Sequence, residues 1–172
     1  VGVRERIRPL SKLADSQDFY AEEVPNLRVG AIGDQIMAGE RILVIDDDPD
    51  VREALRLMLE PGGYRLTCCS TGPEGMESIA TDPPDLILLD IMLSSPSEGF
   101  HLAYKLRKDD ATSRIPIVMI SAIGQTMGMD YAKELGSEYV PAEKFLDKPL
   151  KADTVLAAVQ ETLAAKNTGP GD

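Results

Sequence analysis

From Arg41 onward the chain alternates short apolar runs with longer stretches in which apolar residues recur every three or four positions. Short apolar runs between polar residues mark strands buried on both faces, and the periodic stretches mark helices that lie on a sheet. The runs place strands near 41–45, 64–69, 85–89, 116–120 and 143–147, and the stretches place helices near 50–60, 73–81, 99–109, 127–135 and 151–165. Five strand-helix units predict an α/β fold, a parallel sheet with helices on both faces. Pro49 opens the first helix, with Val51, Leu55, Leu57, Met58 and Leu59 expected along its inner side. Gly62-Gly63 ends it, Asp82-Pro83-Pro84 turns the chain into the third strand, and Pro116 opens the fourth. Gly124, Gly128 and Gly136 bracket the fourth helix, and each costs about 1 kcal/mol relative to Ala in a helix, so mobility is expected there.

The ends of the apolar runs carry the chemistry. Ile42-Leu43-Val44-Ile45 runs into Asp46-Asp47-Asp48, Leu86-Ile87-Leu88-Leu89 into Asp90, Ile117-Val118-Met119-Ile120 into Ser121, and Phe145-Leu146-Asp147 into Lys148-Pro149. Ligands of an open parallel sheet bind beyond the carboxyl ends of its strands. Two carboxylates about 4 Å apart repel by roughly 4 kcal/mol at an effective dielectric near 20. Packing Asp46, Asp47 and Asp90 together therefore calls for a cation. Mg²⁺ accepts one or two carboxylates and a backbone carbonyl and leaves positions for phosphate oxygens. Lysine and a hydroxyl beside it suit phosphoryl transfer, which needs positioning and charge neutralisation.

These four strand-end motifs, in this order, resemble the receiver domains of two-component response regulators over about residues 40–165. The resemblance implies a doubly wound, flavodoxin-like, five-stranded sheet of strand order 2-1-3-4-5. It implies that Asp90 takes a phosphoryl group from the phosphohistidine of a sensor kinase or phosphotransfer protein. Asp46 and Asp47 would be the acidic pair for Mg²⁺, with Asp47 a direct ligand, and Met92 would lend its backbone carbonyl to the metal. Lys148 would pair with phosphoryl oxygens beside a cis bond to Pro149, and Ser121 would move to the phosphorylated Asp90 while the ring of Phe145 rotates. Output would then be protein binding, to an unidentified downstream partner, and the fourth helix, last strand and last helix are the family's usual homodimer surface.

The chain departs from the family in two places. Ser94 stands where the family has proline, in a slightly longer loop, Ser94-Ser95-Pro96-Ser97-Glu98, that precedes Gly99. Tyr139-Val140-Pro141-Ala142-Glu143-Lys144 extends the approach to the last strand and reads as a surface loop rather than a partner-specific surface. Met92 and Ile123 flank the path of water to an acyl phosphate, and neither side chain positions water, so slow self-dephosphorylation is expected. Asp48 and Asp50 suit the helix N-terminus better than a metal. His101, the one histidine, reads as structural or surface, Met119, Met127 and Met129 as core, and Lys105, Arg107, Lys108, Asp109 and Asp110 as a solvated helix end. A haloacid dehalogenase-type phosphatase also begins from Asp-x-Asp after a strand, but no acidic pair follows Lys148 and Asp90 would have no role. A degenerate receiver acting as a constitutive interaction module is the remaining alternative.

A net charge of −11 in 172 residues, without a Lys/Arg stripe or zinc-ligand spacing, argues against direct DNA binding. No window reaches the roughly 20 apolar residues that span a bilayer. Val1-Gly2-Val3-Arg4 does not open a secretory signal, and a cytoplasmic protein is expected. Cys68 and Cys69 would face opposite sides of a strand, which suits buried thiols rather than a mutual disulfide. Residues 1–39 read as an arm and linker, 40–166 as the receiver, and 167–172 as a disordered tail.

Overall fold

The computed structural model describes residues 39–122 and 141–167. Strands β1 (Arg41–Ile45), β2 (Arg65–Cys69), β3 (Leu86–Asp90), β4 (Ile117–Ser121) and β5 (Lys144–Asp147) form one parallel sheet in the order β2-β1-β3-β4-β5. Helices α1 (Pro49–Leu59), α2 (Gly72–Thr81), α3 (Glu98–Lys108) and α4 (Ala152–Asn167) accompany it. The helix expected at 127–135, with Ile123, Met127 and Met129, lies outside the described residues, as do the arm up to residue 38 and the tail from residue 168. Asn167, expected in the tail, is instead the last residue of α4.

The alternation of each strand divides the core between the two sheet faces. Leu43, Ile45, Ile87, Leu89, Ile117 and Met119 pack with Phe100, Leu102 and Leu106 of α3 and Ile79 of α2. Ile42, Val44, Leu86, Leu88, Val118 and Ile120 pack on the other face with Leu55 and Leu59 of α1 and Val155, Val159 and Leu163 of α4. Each fully buried Leu or Ile contributes roughly 1.5–3 kcal/mol, so β1, β3 and β4, sealed on both sides, form a rigid platform. Cys69 joins the first cluster and Cys68 packs beside the second, as their adjacency in a strand requires. Both are free thiols, and burial pushes both up.

The oxygen of the Asp48 side chain accepts from the backbone N–H of Asp50, capping α1 ahead of Pro49. Gly63, at φ 90°, closes the 3-10 turn Glu60–Gly62 that comes after α1. One residue of α1 departs from expectation. Leu57 is 69% exposed. At about 100° per residue, it points some 200° away from both Leu55 and Leu59, whose burial sets the inner side.

Two surface readings are also corrected. Arg107 is not a solvated residue, because its side chain is only 11% exposed. Its guanidinium donates to the carbonyls of Ser113 and Ile115 at 3.0 and 2.7 Å and to both carboxylate oxygens of Glu143 at 2.8 Å. Glu143 Oε2 also accepts from the backbone N–H of Ile117 at 2.6 Å. Among the described residues of the approach to β5, Pro141 is buried, Ala142 packs on the core and the exposed Glu143 is tied to Arg107 and Ile117. This part is more than a free surface loop, while Tyr139 and Val140 lie outside the described residues. Glu143→Ala leaves the Ile117 N–H without this acceptor and the Arg107 charge without its partner. The expected loss is about 1–3 kcal/mol, read as a lower midpoint in urea. Among the described residues no helix is long and apolar enough to cross a membrane.

Candidate phosphoryl-transfer site

A parallel sheet brings the carboxyl ends of its strands to one edge, and the backbone ladder continues past the strands to align the residues just beyond them. Asp46 donates its N–H to the carbonyl of Cys69 at 3.2 Å, Ile91 to that of Ile120 at 3.0 Å, and Lys148 to that of Ser121 at 2.7 Å. Asp46, Asp90, Ser121 and Lys148 therefore arrive at one edge of the central strands. Asp46 and Ser121 show no exposed surface, Asp90 retains 3%, and Asp47, one residue further, is exposed.

Lys148 ties the cluster together. Its Nζ donates to Asp46 Oδ2 and to Asp90 Oδ2, each at 3.0 Å. Burial pulls the ammonium down, but the hydrogen bonds and charges of Asp90 and Asp46 outweigh it and hold its pKa above the ordinary lysine value. Asp46 is shifted upward despite the same lysine, because burial dominates and the Asp90 charge adds to it, while the Asp48 N–H and Lys148 oppose. The two directions agree physically: one ammonium does not offset the burial and mutual repulsion of the neighbouring acids. Asp48 donates its N–H to Asp46 Oδ1 at 2.9 Å, and Met92 donates its own to Asp90 Oδ1 at 3.2 Å, so both buried carboxylates are oriented by backbone as well as by lysine.

Carboxylate oxygens of Asp46, Asp47 and Asp90 lie within 4.8 Å of one another. Three hard oxygen donors at that spacing, two buried and one exposed, fit a small divalent cation open to solvent on one side. The Lys148–Pro149 bond is cis, as the resemblance implied. Phe145 is half-buried against the cluster under α2 and α3. His101 is exposed, with Nδ1 2.9 Å from the Ser97 carbonyl, and stands apart from this chemistry. Asp48 caps α1 by accepting the Asp50 N–H, the place at the helix N-terminus expected of it.

A family model described as the response regulator receiver domain matches residues 42–160. The chain belongs to this family. It is 35% identical over 136 residues to the phosphate regulon transcriptional regulatory protein PhoB of Pseudomonas aeruginosa, across 79% of this chain and 56% of that protein. It is 31% identical over 124 residues to protein PilH of the same organism, across 72% of this chain and 98% of PilH. The chain therefore spans about half the length of PhoB and nearly all of PilH. A CheY-like response regulator receiver domain protein from Methanospirillum hungatei superimposes with a TM-score of 0.66 at 22% identity, covering 77% of this chain and all of that one, and shares the fold. This chain is the receiver domain of a two-component response regulator, a signalling switch with an acidic triad at the sheet edge.

Sequence reasoning passed over two supports of this receiver's site. Arg52 Nη1 donates to the Asp46 carbonyl at 2.6 Å and so fixes the peptide between the two acids. Its place one turn into α1 is the only signal in the sequence. Glu98 and Gly99, at the start of α3, bear on the loop that leaves Asp90. Their signal is a spacing that occurs twice, Ser-Thr-Gly-Pro-Glu at 70–74 and Ser-Ser-Pro-Ser-Glu at 94–98.

Proposed function

We propose that this receiver accepts a phosphoryl group on Asp90 from the phosphohistidine of a sensor kinase or phosphotransfer protein. The carrying observation is Lys148 Nζ at 3.0 Å from two buried carboxylates that share an edge with a third. Asp46, Asp47, Asp90 and the backbone carbonyl of Met92 would hold Mg²⁺. When bound, the ion supplies neutralising charge for the acids and for the incoming phosphoryl oxygens. Asp90 Oδ attacks phosphorus in line, the P–N bond to the donor imidazole breaks, and the new bond is an acyl phosphate on Asp90. Lys148 then transfers its hydrogen bond from the carboxylate to a phosphoryl oxygen, and Ser121 donates its hydroxyl to another.

The same protein groups serve hydrolysis, so the domain catalyses its own phosphorylation and dephosphorylation. Phosphorylation shifts the balance between two surface states through Ser121 and Phe145, two residues before Asp147 in β5. A cleft of about 430 Å³ lined by Phe145, Lys148, Pro149, Leu150 and Thr154 adjoins the half-buried ring. The output is binding of a downstream protein in the cytoplasm, with homodimerisation through the helix expected at 127–135, β5 and the last helix as a second output. Direct DNA contact is not assigned to this domain.

Phosphoramidate, whose P–N bond stands in for phosphohistidine, tests the acceptor. After reaction in Mg²⁺, borohydride reduction and then peptide mapping should show conversion of position 90 alone. Conversion at another acid would overturn the assignment. Met92 is 37% exposed and apolar at the mouth of the site, where it holds no water for attack on the acyl phosphate. Met92→Asn should shorten the lifetime of the phosphorylated protein, by less than the roughly 10²–10⁴-fold that a fully positioned proton-transfer group contributes, because an amide orients water without taking its proton. An unchanged decay of the label on Asp90 would rule out that role.

A further inference from the structure

The loop after the phosphoacceptor leaves the sheet at Ile91 and enters α3 at Glu98. Met92 sits in this loop between two fixed points. On one side Gly99 donates its N–H to the Ile91 carbonyl at 3.1 Å, and a Cβ at Gly99 would stand 2.1 Å from the Asp90 carbonyl oxygen and 2.7 Å from Ile91 Cα. Only a glycine permits that approach, which brings the first turn of α3 against the backbone of the phosphoacceptor. On the other side Leu93 is buried in the core, and the next residue, Ser94, donates both its N–H and its Oγ–H to Glu98 Oε2, at 3.1 and 2.6 Å.

Glu98 is not engaged in capping its own helix. Ser97, at the N-cap of α3, makes no side-chain cap, and the Glu98 carboxylate turns back onto Ser94 instead. Its other oxygen lies 3.2 Å from where a Cβ would stand on Gly72, the first residue of α2, so the carboxylate occupies the narrow space between the two helix starts. Ser94, Ser95 and Pro96 are exposed. Besides the Glu98 clamp, a long bond from the Glu98 N–H to the Ser95 carbonyl at 3.3 Å closes the loop, and the Gly99 N–H to Ile91 ties its far end.

We infer that Glu98 is a positioning residue for phosphoryl transfer: it holds the Met92 peptide, whose N–H orients Asp90 and whose carbonyl would help hold the proposed cation. This inference rests on the assignment of Asp90 as acceptor. A carboxylate accepting two hydrogen bonds from one serine restrains the loop without touching the reacting atoms. The restraint acts on the geometry of the metal and of the nucleophile, where outer partners are worth about 10–100-fold in affinity or rate.

The chain contains its own control. Glu74 Oε2 accepts from Ser70 N–H and Oγ–H at 2.8 and 2.9 Å, the same pair of bonds at the start of α2, in the loop that follows β2 rather than the one that follows Asp90. The test compares wild type, Glu98→Ala, Glu98→Gln and Glu74→Ala by calorimetric titration with Mg²⁺, by initial rate of labelling from acetyl phosphate, and by thermal midpoint. Glu98→Ala should weaken Mg²⁺ binding and slow labelling about tenfold. Glu98→Gln, which retains an acceptor oxygen, should recover most of both. Glu74→Ala should lower the midpoint as much as Glu98→Ala does and leave Mg²⁺ affinity and labelling rate within twofold of wild type. If wild type is labelled on Asp90 and Glu98→Ala matches it in affinity and rate, or if Glu74→Ala falls equally, the positioning role is overturned alone. A wild type that is not labelled at Asp90 overturns the acceptor assignment and this inference with it.

Discussion

Asp90→Asn should abolish phosphoryl uptake while leaving the fold in place. The substitution keeps volume and keeps an oxygen to accept the Met92 N–H, now 3.2 Å from Asp90 Oδ1. It removes a carboxylate oxygen with the electron density to attack phosphorus, since an amide oxygen forms no stable acyl phosphate. It also removes one of the three negative charges that converge at the sheet edge, so Mg²⁺ should raise the thermal midpoint of the variant less than that of wild type. A ligand that binds only the folded state adds about 2.7 kcal/mol at one hundred times its dissociation constant, and the variant should need more Mg²⁺ for the same gain. Phosphate-affinity electrophoresis and a thermal scan with and without Mg²⁺ give both readings. Retained uptake would place the acceptor elsewhere.

Lys148→Met should have the second-largest effect, on rate and on stability together. The side chain is 21% exposed and bridges two carboxylates with essentially no exposure. Loss of one preorganised cationic donor typically costs about 10²–10³ in rate, and labelling by acetyl phosphate should fall by that factor. Removing one partner of a buried pair costs about 3–5 kcal/mol. The lower end applies here because Lys148 keeps some contact with water, and added Mg²⁺ should recover part of the loss by replacing the counter-charge. The pH dependence has a definite sign. The folded pKa of Lys148 is raised, so its stabilisation is complete below the unfolded value of about 10.4 and is lost as pH rises through the folded value. Asp46 is raised too, which for an acid means that its ionisation opposes folding above the ordinary aspartate range. Wild type should therefore exceed Lys148→Met by a constant margin at neutral pH, with the margin narrowing only above about pH 10. Urea midpoints across pH 6 to 11 measure it, and an unchanged margin in strong alkali would contradict the account.

The legible part of this protein is the part governed by local pattern. Apolar runs that end in Asp46, Asp90 and Ser121 disclosed the strands, their parallel arrangement and the edge where the site lies, because a sheet buried on both faces cannot be written otherwise. Less legible were residues whose role depends on a contact brought by another element. Leu57 carries the hydrophobicity of an inner position, yet in α1 the pair Leu55 and Leu59 fixes the rotation and turns it outward. Arg107 stands in a run of charges that reads as solvated. Only the arrival of Glu143 from a distant segment, beside the carbonyls of Ser113 and Ile115, converts it into an internal brace. Glu98 looks like an ordinary acidic residue at a helix start, and its contact with Ser94 depends on the loop closing back toward Asp90. Burial of a carboxylate such as Asp46 likewise comes from the tertiary fold and not from its neighbours in sequence.

The most direct test of the central claim is the intact mass of the protein after incubation with acetyl phosphate, with and without Mg²⁺, beside Asp90→Ala. The account predicts a single added phosphoryl group on wild type in Mg²⁺, none when the metal is chelated, and none on Asp90→Ala. A folded wild type that gains no mass, or an Asp90→Ala protein that gains the same mass, would contradict it.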